Sequence, residues 1–297
     1  MASLREIKSR ISSINNTRKI TSAMKMIASA KLRKAQVAIT HFLPYQKKLD
    51  SILVNLLSSN ASYDSPFLEK RDVKNIAIVA FSSNSTLCGA YNANVIKEFK
   101  ATYEKFMYLG KENVLIYPVG KTISKAVERM KLDVEGDYST LADAPSYEGV
   151  YQLAKVIIDK YVAAELDEVI LIYHHFKSTG TQVLTNTKYL PFDLSCEADK
   201  FAVGKEQNNL QADYIFEPSK DEIMCNLIPV VLYSRMYAAL LDASASEHAA
   251  RTMAMQIATD NANDLIQELT IQYNKSRQQA VTNELLDIIG GASALEG

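Results

Sequence analysis

The chain of 297 residues is poor in helix breakers at both ends: it has ten glycines and seven prolines, with no glycine before Gly89 and no proline before Pro44. Residues 230–289 hold neither, sixty positions in a row. A continuous helix of that length would run roughly 90 Å at about 1.5 Å per residue. Tryptophan is absent, and the three cysteines (Cys88, Cys196, Cys225) form no CxxC pair, which excludes a disulfide scaffold and points to a reducing compartment. Excess charge is also missing, since 33 basic and 34 acidic side chains leave a net charge of −1. That balance excludes a globally cationic nucleic-acid coat and a disordered acidic chain. Arg5, Lys8 and Arg10 interrupt the N-terminus too early for a signal peptide. The longest apolar stretch, residues 226–241, contains Pro229 and Arg235, so the expectation is a soluble protein able to sit on a membrane complex.

What is present is two helical ends and a punctuated middle. Leu4, Ile7, Ile11 and Ile14 follow the 3-4-3 spacing of a coiled-coil seam. Asn15 to Arg18 break it, and Ile20, Met24 and Ile27 resume it with a shifted phase, the pattern of a stutter. Ser3 with Glu6 is a capping box. Residues 1–40 hold nine Lys or Arg and one acid, Glu6, so an acidic partner is favoured over a merely solvated face. At the other end, nine alanines fall between Ala238 and Ala262, several four apart, a stripe that admits a close helix. Leu265, Leu269, Tyr273, Val281, Leu285 and Ile288 continue it as a larger seam, with the N-terminal helix as its expected mate.

The middle alternates strands and helices. Strands are expected at 75–82 (NIAIVAFS), 113–119, 169–176 and 181–190, and helices at 93–108, 122–130 and 147–164. Near-continuous apolar strands separated by helices argue for a small, largely parallel sheet.

Chemical motifs are weak throughout. Gly120-Lys121-Thr122 has the tail of a phosphate loop, but Leu115 stands where the first glycine is required. His174 and His175 are adjacent on a strand and face opposite ways, which suits no shared metal ion. Cys88 follows the first strand and reads as a small buried residue. No serine sits in a GxSxG elbow. The basic helix has few aromatics for base stacking, so nucleic acid is not expected.

Long motifs at both ends resemble the gamma-subunit family of the bacterial F-type ATP synthase, the central rotor shaft. They are Ile7-Lys8-Ser9-Arg10-Ile11, Asn16-Thr17-Arg18-Lys19-Ile20-Thr21-Ser22-Ala23-Met24-Lys25-Met26 and Ala30-Lys31-Leu32-Arg33-Lys34 near the start. Near the end they are Ser246-Glu247-His248-Ala249-Ala250-Arg251, Ala258-Thr259-Asp260-Asn261-Ala262 and Tyr273-Asn274-Lys275-Ser276-Arg277-Gln278, then Val281-Thr282-Asn283-Glu284. The resemblance covers the whole chain. It implies an antiparallel coiled coil of the two termini with a Rossmann-like α/β domain between them. The implied division is an N-terminal coiled-coil helix at 1–60, the α/β domain at 73–195, a loop or foot at 196–218 and a C-terminal coiled-coil helix at 219–297.

It also implies no active site, cofactor or metal on this chain. Its partners would be three alpha and three beta subunits, the epsilon subunit and the membrane ring of c subunits, on the cytoplasmic face of the bacterial cell membrane. By motif, Met24 and Lys25 would meet an acidic loop of beta, and Arg277, Gln278, Thr282 and Glu284 would touch beta near the bearing. Tyr214, Phe216 and Glu217 would face the rotor ring and epsilon. Two departures stand out: Ser83-Asn84-Ser85-Thr86 replaces the family's Ser-Asp-Arg-Gly run, and Gln279 occupies a position where a small residue is usual. The absence of a dithiol insert implies no redox control, and the absence of a transit peptide favours a bacterial enzyme.

Overall fold

The computed structural model describes residues 4–58, 66, 67, 69, 71–192, 217 and 219–296. Two long helices, α1 (Leu4–Ser58) and α6 (Lys220–Glu296), flank the rest, with Pro44 and Pro229 inside them. Between them run β1 (Ile76–Phe81), α2 (Tyr91–Phe106), β2 (Val114–Val119), α3 (Lys121–Arg129), α4 (Ser139–Asp143), α5 (Tyr147–Val162), β3 (Glu168–Ser178) and β4 (Thr181–Leu190). The expected strands and helices are all present. The short helix α4 was not anticipated, because its five residues show no periodicity. The capping box at Ser3 and the polar segment 196–211 lie outside the described residues.

The chain forms two compact units, one of Met1–Ser29 with Arg251–Gly297 and one of Ala30–Ala250. The larger unit is built on a four-stranded sheet in the order β2-β1-β3-β4. β1 pairs in parallel with β2 and β3, while β4 returns antiparallel from β3 through a tight turn at Thr179 and Gly180. β1 is buried at all six positions, which is why its sequence is apolar without alternation. One side of the sheet packs Val95, Phe99 and Tyr103 of α2 with Ile123 and Val127 of α3. The other packs Leu153, Ile157 and Tyr161 of α5, Leu53 of α1, and Ile228, Leu232, Met236 and Leu240 of α6. Helix α6 contains an 18-residue window of mean hydropathy 1.4, enough by composition to cross a membrane, and 44% of that window is buried within the chain. Part of the apolar character of that window is thus taken up by packing within the chain.

The smaller unit is an antiparallel helix pair. Thr21 and Thr259 share a hydrogen bond of 2.9 Å, and Arg18 Nη1 donates to Asn263 Oδ1 at 3.1 Å. The order of these contacts sets the register. Here the structure corrects the expected stutter. Ile7, Thr21 and Ala28 are buried at seven-residue spacing, with Ile14 between them half-buried. Leu32 and Ala35 keep the same phase in the larger unit. The heptad thus runs on uninterrupted, while Ile20 and Ile27 face outward at 60% exposure each. Past Ile14 the small and polar Thr21 and Ala28 hold the seam opposite an alanine-rich helix, and Ile20 and Ile27 are left outside.

A second correction concerns the far end of α6. In the register set by Thr21 and Thr259, the residue opposite Leu4 lies near Ser276. Among the described residues, none of α1 lies opposite the stretch beyond it. Val281, Leu285, Leu286, Ile288 and Ile289 are accordingly exposed, Ile288 at 67%.

Candidate functional site

In the larger unit the natural place for a ligand is the crevice at the carboxyl ends of β1 and β3, where the strand order reverses. The residues after β1 close it. Asn84 Oδ1 accepts from the amide of Lys121 at 2.9 Å, the Ser83 carbonyl from Thr122 at 3.2 Å, and Ser82 Oγ from Ile123 at 3.1 Å. These are the amides at the start of α3 that a phosphate would need. Gly120 sits at φ +111° with the Ser82 carbonyl against it, and an added Cβ would lie 2.3 Å from that oxygen. Backbone fills the space that a phosphate cradle would leave open.

The crevice itself is filled by α6. Tyr91 Oη donates to the Ala243 carbonyl at 3.1 Å, and Ser246 Oγ donates to the carbonyl of His174 at 3.0 Å. A cavity of about 10 Å³ remains, lined by Phe81, Ser82, Tyr91, Ala243, Ser244 and Glu247 among others, room for about one water. The His174 ring stacks on Tyr91 with centroids 4.5 Å apart. Burial holds its pKa down at about 4, and burial with the nearby Glu247 raises the Tyr91 phenol well above its ordinary value. Both are neutral at physiological pH and packed, so neither is poised as a general base or acid.

Cys88 is buried, with Asn92 Nδ2 at 3.1 Å from its sulfur, as a packing residue would be. The loop Ser83-Asn84-Ser85-Thr86 makes its turn without the family's usual residues: Ser83 Oγ donates to the Ser85 carbonyl at 2.6 Å, and Asn84 Nδ2 to the Ser139 carbonyl at 2.7 Å. Leu87 completes it at φ +66°, an uncommon conformation for a bulky side chain.

A wider groove of about 320 Å³ lies where α1, β3, β4 and α6 meet. Polar and charged side chains in it are paired with one another. Arg235 pairs with Asp50 at 2.9 Å, His175 Nδ1 with Asp242 at 2.5 Å, and Lys188 with Glu168 at 2.8 Å. Burial raises the Asp242 pKa, partly offset by His175. His174 and His175 do face opposite ways, one buried and one exposed. Among the described residues no three His, Cys, Asp or Glu side chains are grouped to hold a metal ion.

The contact residues expected from motifs are spread along the smaller unit. Met24 and Lys25 are half-buried on α1, while Arg277, Gln278, Thr282 and Glu284 are exposed on α6. In the register set by Thr21 and Thr259, the two groups stand roughly 30–45 Å apart along the helix pair. Tyr214 and Phe216 lie outside the described residues, and Glu217 is exposed. Sequence reasoning missed Ile20 and Ile27 as surface residues, having assigned them to the seam. They form one outward stripe seven residues apart, beside a second stripe carrying Lys19 and Met26, the latter 72% exposed. The available signal was Thr21 and Ala28, whose spacing from Ile7 and Ile14 continues the first heptads without a break.

Comparison with known proteins agrees with this geometry. The family model described as ATP synthase matches residues 3–295. The ATP synthase gamma chain of Bacteroides thetaiotaomicron is 55% identical over 98% of this chain and 99% of its own length. That of Bacteroides fragilis is 56% identical over 99% and 100%. Among solved structures, a chain of the Euglena gracilis mitochondrial ATP synthase in its OSCP/F1/c-ring portion superposes with a TM-score of 0.65. It is 20% identical and covers 98% of this chain and 94% of its own. A chain from the rotor of the same enzyme gives 0.61 at 18% identity, covering 94% and 98%.

Proposed function

The chain belongs to the gamma-chain family of ATP synthase, and from that membership we propose how its surfaces are used. It is a non-catalytic central-stalk subunit of an F-type ATP synthase, associated with the other subunits as a peripheral part of a membrane-bound complex. The finer reading is that one copy stands inside a ring of three alpha and three beta subunits. Its foot rests on epsilon and the c ring at the cytoplasmic face of a bacterial membrane.

Four segments divide this work: helices at 1–60 and 219–297 form the shaft, the α/β domain at 73–195 is the body, and 196–218 is the foot. Met24 and Lys25 on the basic helix meet an acidic loop of beta. Arg277, Gln278, Thr282 and Glu284 meet beta near the bearing. Tyr214, Phe216 and Glu217 face the ring and epsilon. Torque needs no chemistry on this chain. A shaft without threefold symmetry contacts each beta subunit differently, so it favours a different conformation in each, and turning it moves that bias around the ring.

The observation that carries the reading is the unfinished end of α6. Val281, Leu285, Leu286, Ile288 and Ile289 are exposed on a helix with no described residue of α1 opposite them. Contiguous apolar surface of this kind marks a partner interface, and a sleeve formed by the ring would cover it. The test is ATP hydrolysis by purified alpha and beta subunits with and without this chain. Strong activation with one copy per three beta subunits is expected. No activation and no co-purification would defeat the assignment.

A further inference from the structure

We propose that a line of polar contacts along α6 sets the rotational phase of that helix against the α/β domain, with Tyr91 and Ser246 as positioning residues for torque transfer. The proposal rests on the central-stalk reading.

Arg235, Asp242, Ala243 and Ser246 fall at helical spacings that place them toward one side of α6. Each is tied to a different neighbour or a different point on one. Arg235 binds Asp50 of α1, Asp242 binds His175 of β3, the Ala243 carbonyl accepts from Tyr91 of α2, and Ser246 donates to the His174 carbonyl of β3. The surface between these contacts mixes small residues, the buried Ala239, Ala243 and Ala245, with the larger Met236, Leu240 and Leu241. Apolar burial is non-directional, so the packed side chains hold the helix against the sheet while the alanines between them leave its roll less closely set than bonds with fixed partners do. Hydrogen bonds weaken steeply with angle, and Ser246 and Tyr91 make theirs in a buried setting, where they are stronger than in water. The crevice that binds ligands in related architectures is here a keyway for the helix. Torque entering at the domain reaches α6 through these bonds.

The separation of roles suggests the experiment. Tyr91→Phe keeps the ring on His174 and removes only the hydroxyl, and Ser246→Ala removes only the second donor. The double variant and the wild-type chain are each assembled with alpha, beta, epsilon and the membrane ring in closed vesicles. ATP hydrolysis and ATP-driven acidification are then read in the same preparation. Expected is hydrolysis close to wild type, with protons moved per ATP reduced at least about twofold, and recovery when Ser246→Thr, which keeps a hydroxyl, replaces Ser246→Ala. Unchanged pumping per ATP would overturn the proposal. So would failure of the variant to assemble, since the bonds would then hold the fold rather than the phase. A wild-type chain that neither assembles nor activates hydrolysis would instead bring down the central-stalk reading on which this depends.

Discussion

The two compact units bury their residues in opposite ways. The larger encloses its apolar side chains completely, with Ile76, Val79, Phe99, Leu153 and Leu232 all at 0% exposure, and it closes even its ligand crevice with backbone and a helix. The smaller joins two helices through Thr21, Thr259, Ala28 and Ala262 and leaves many of its large aliphatics, Ile20, Ile27, Leu285 and Ile288 among them, outside. A self-sufficient core and an incomplete one thus occur in one chain. The first supplies stability; the second presents surface that only partners can bury.

That contrast can be broken from either side. The largest effect is expected from Phe99→Ala, which empties a fully buried aromatic site in the larger unit and should cost about 3–5 kcal/mol. Hydrogen exchange at the β1 and β2 amides should accelerate by the matching factor. Unchanged protection would show that the core is less closed than it looks. Gly120→Ala should cost about 2–3 kcal/mol, because the residue sits at φ +111° and the new methyl meets the Ser82 carbonyl; the same amides report it.

His174 gives a pH signature. Its folded pKa of about 4 lies below the ordinary 6.5, so the unfolded chain binds more protons between those values. Stability of the larger unit is therefore full above about pH 6.5 and falls as pH drops toward 4, by up to about 3 kcal/mol. His174→Phe keeps an aromatic stack on Tyr91 and should flatten that dependence. An equally steep profile in the variant would assign the acid sensitivity to other groups.

In the smaller unit the stability effects should nearly vanish. Ile20→Ser with Ile27→Ser should change folding stability by no more than about 0.5 kcal/mol, yet weaken activation of hydrolysis in the assembled enzyme. A large loss of stability would place both residues back in the seam. Arg277→Ala, at an exposed position, should leave the chain folded while lowering the ratio of ATP made to protons passed. An unchanged ratio would remove Arg277 from the proposed contact set.

Legibility in the sequence followed burial. β1 was readable because both of its faces are covered, so it has no reason to alternate. The long helices were readable because Gly and Pro are nearly absent where they run, with Pro44 in α1 and Pro229, Gly290 and Gly291 in α6. The seam was misread between Ile14 and Ala28 because hydrophobicity was taken as the guide to facing. Where the mate is an alanine stripe, Thr21 and Ala28 take the seam positions, and Ile20 and Ile27 mark the outside. The closed crevice could not be read at all. Its plug comes from Tyr91, His174, Ala243 and Ser246, which are far apart in sequence and joined only by the fold.

Composition and spacing by themselves determined the helical ends, the alternating middle and the basic first helix, because each follows from backbone propensity and side-chain periodicity within a few turns. The tertiary structure decided the phase of the seam, how far α6 outruns α1, and what fills the crevice. Each of those depends on which surface meets which, and local preference carries no information about a neighbour two hundred residues away.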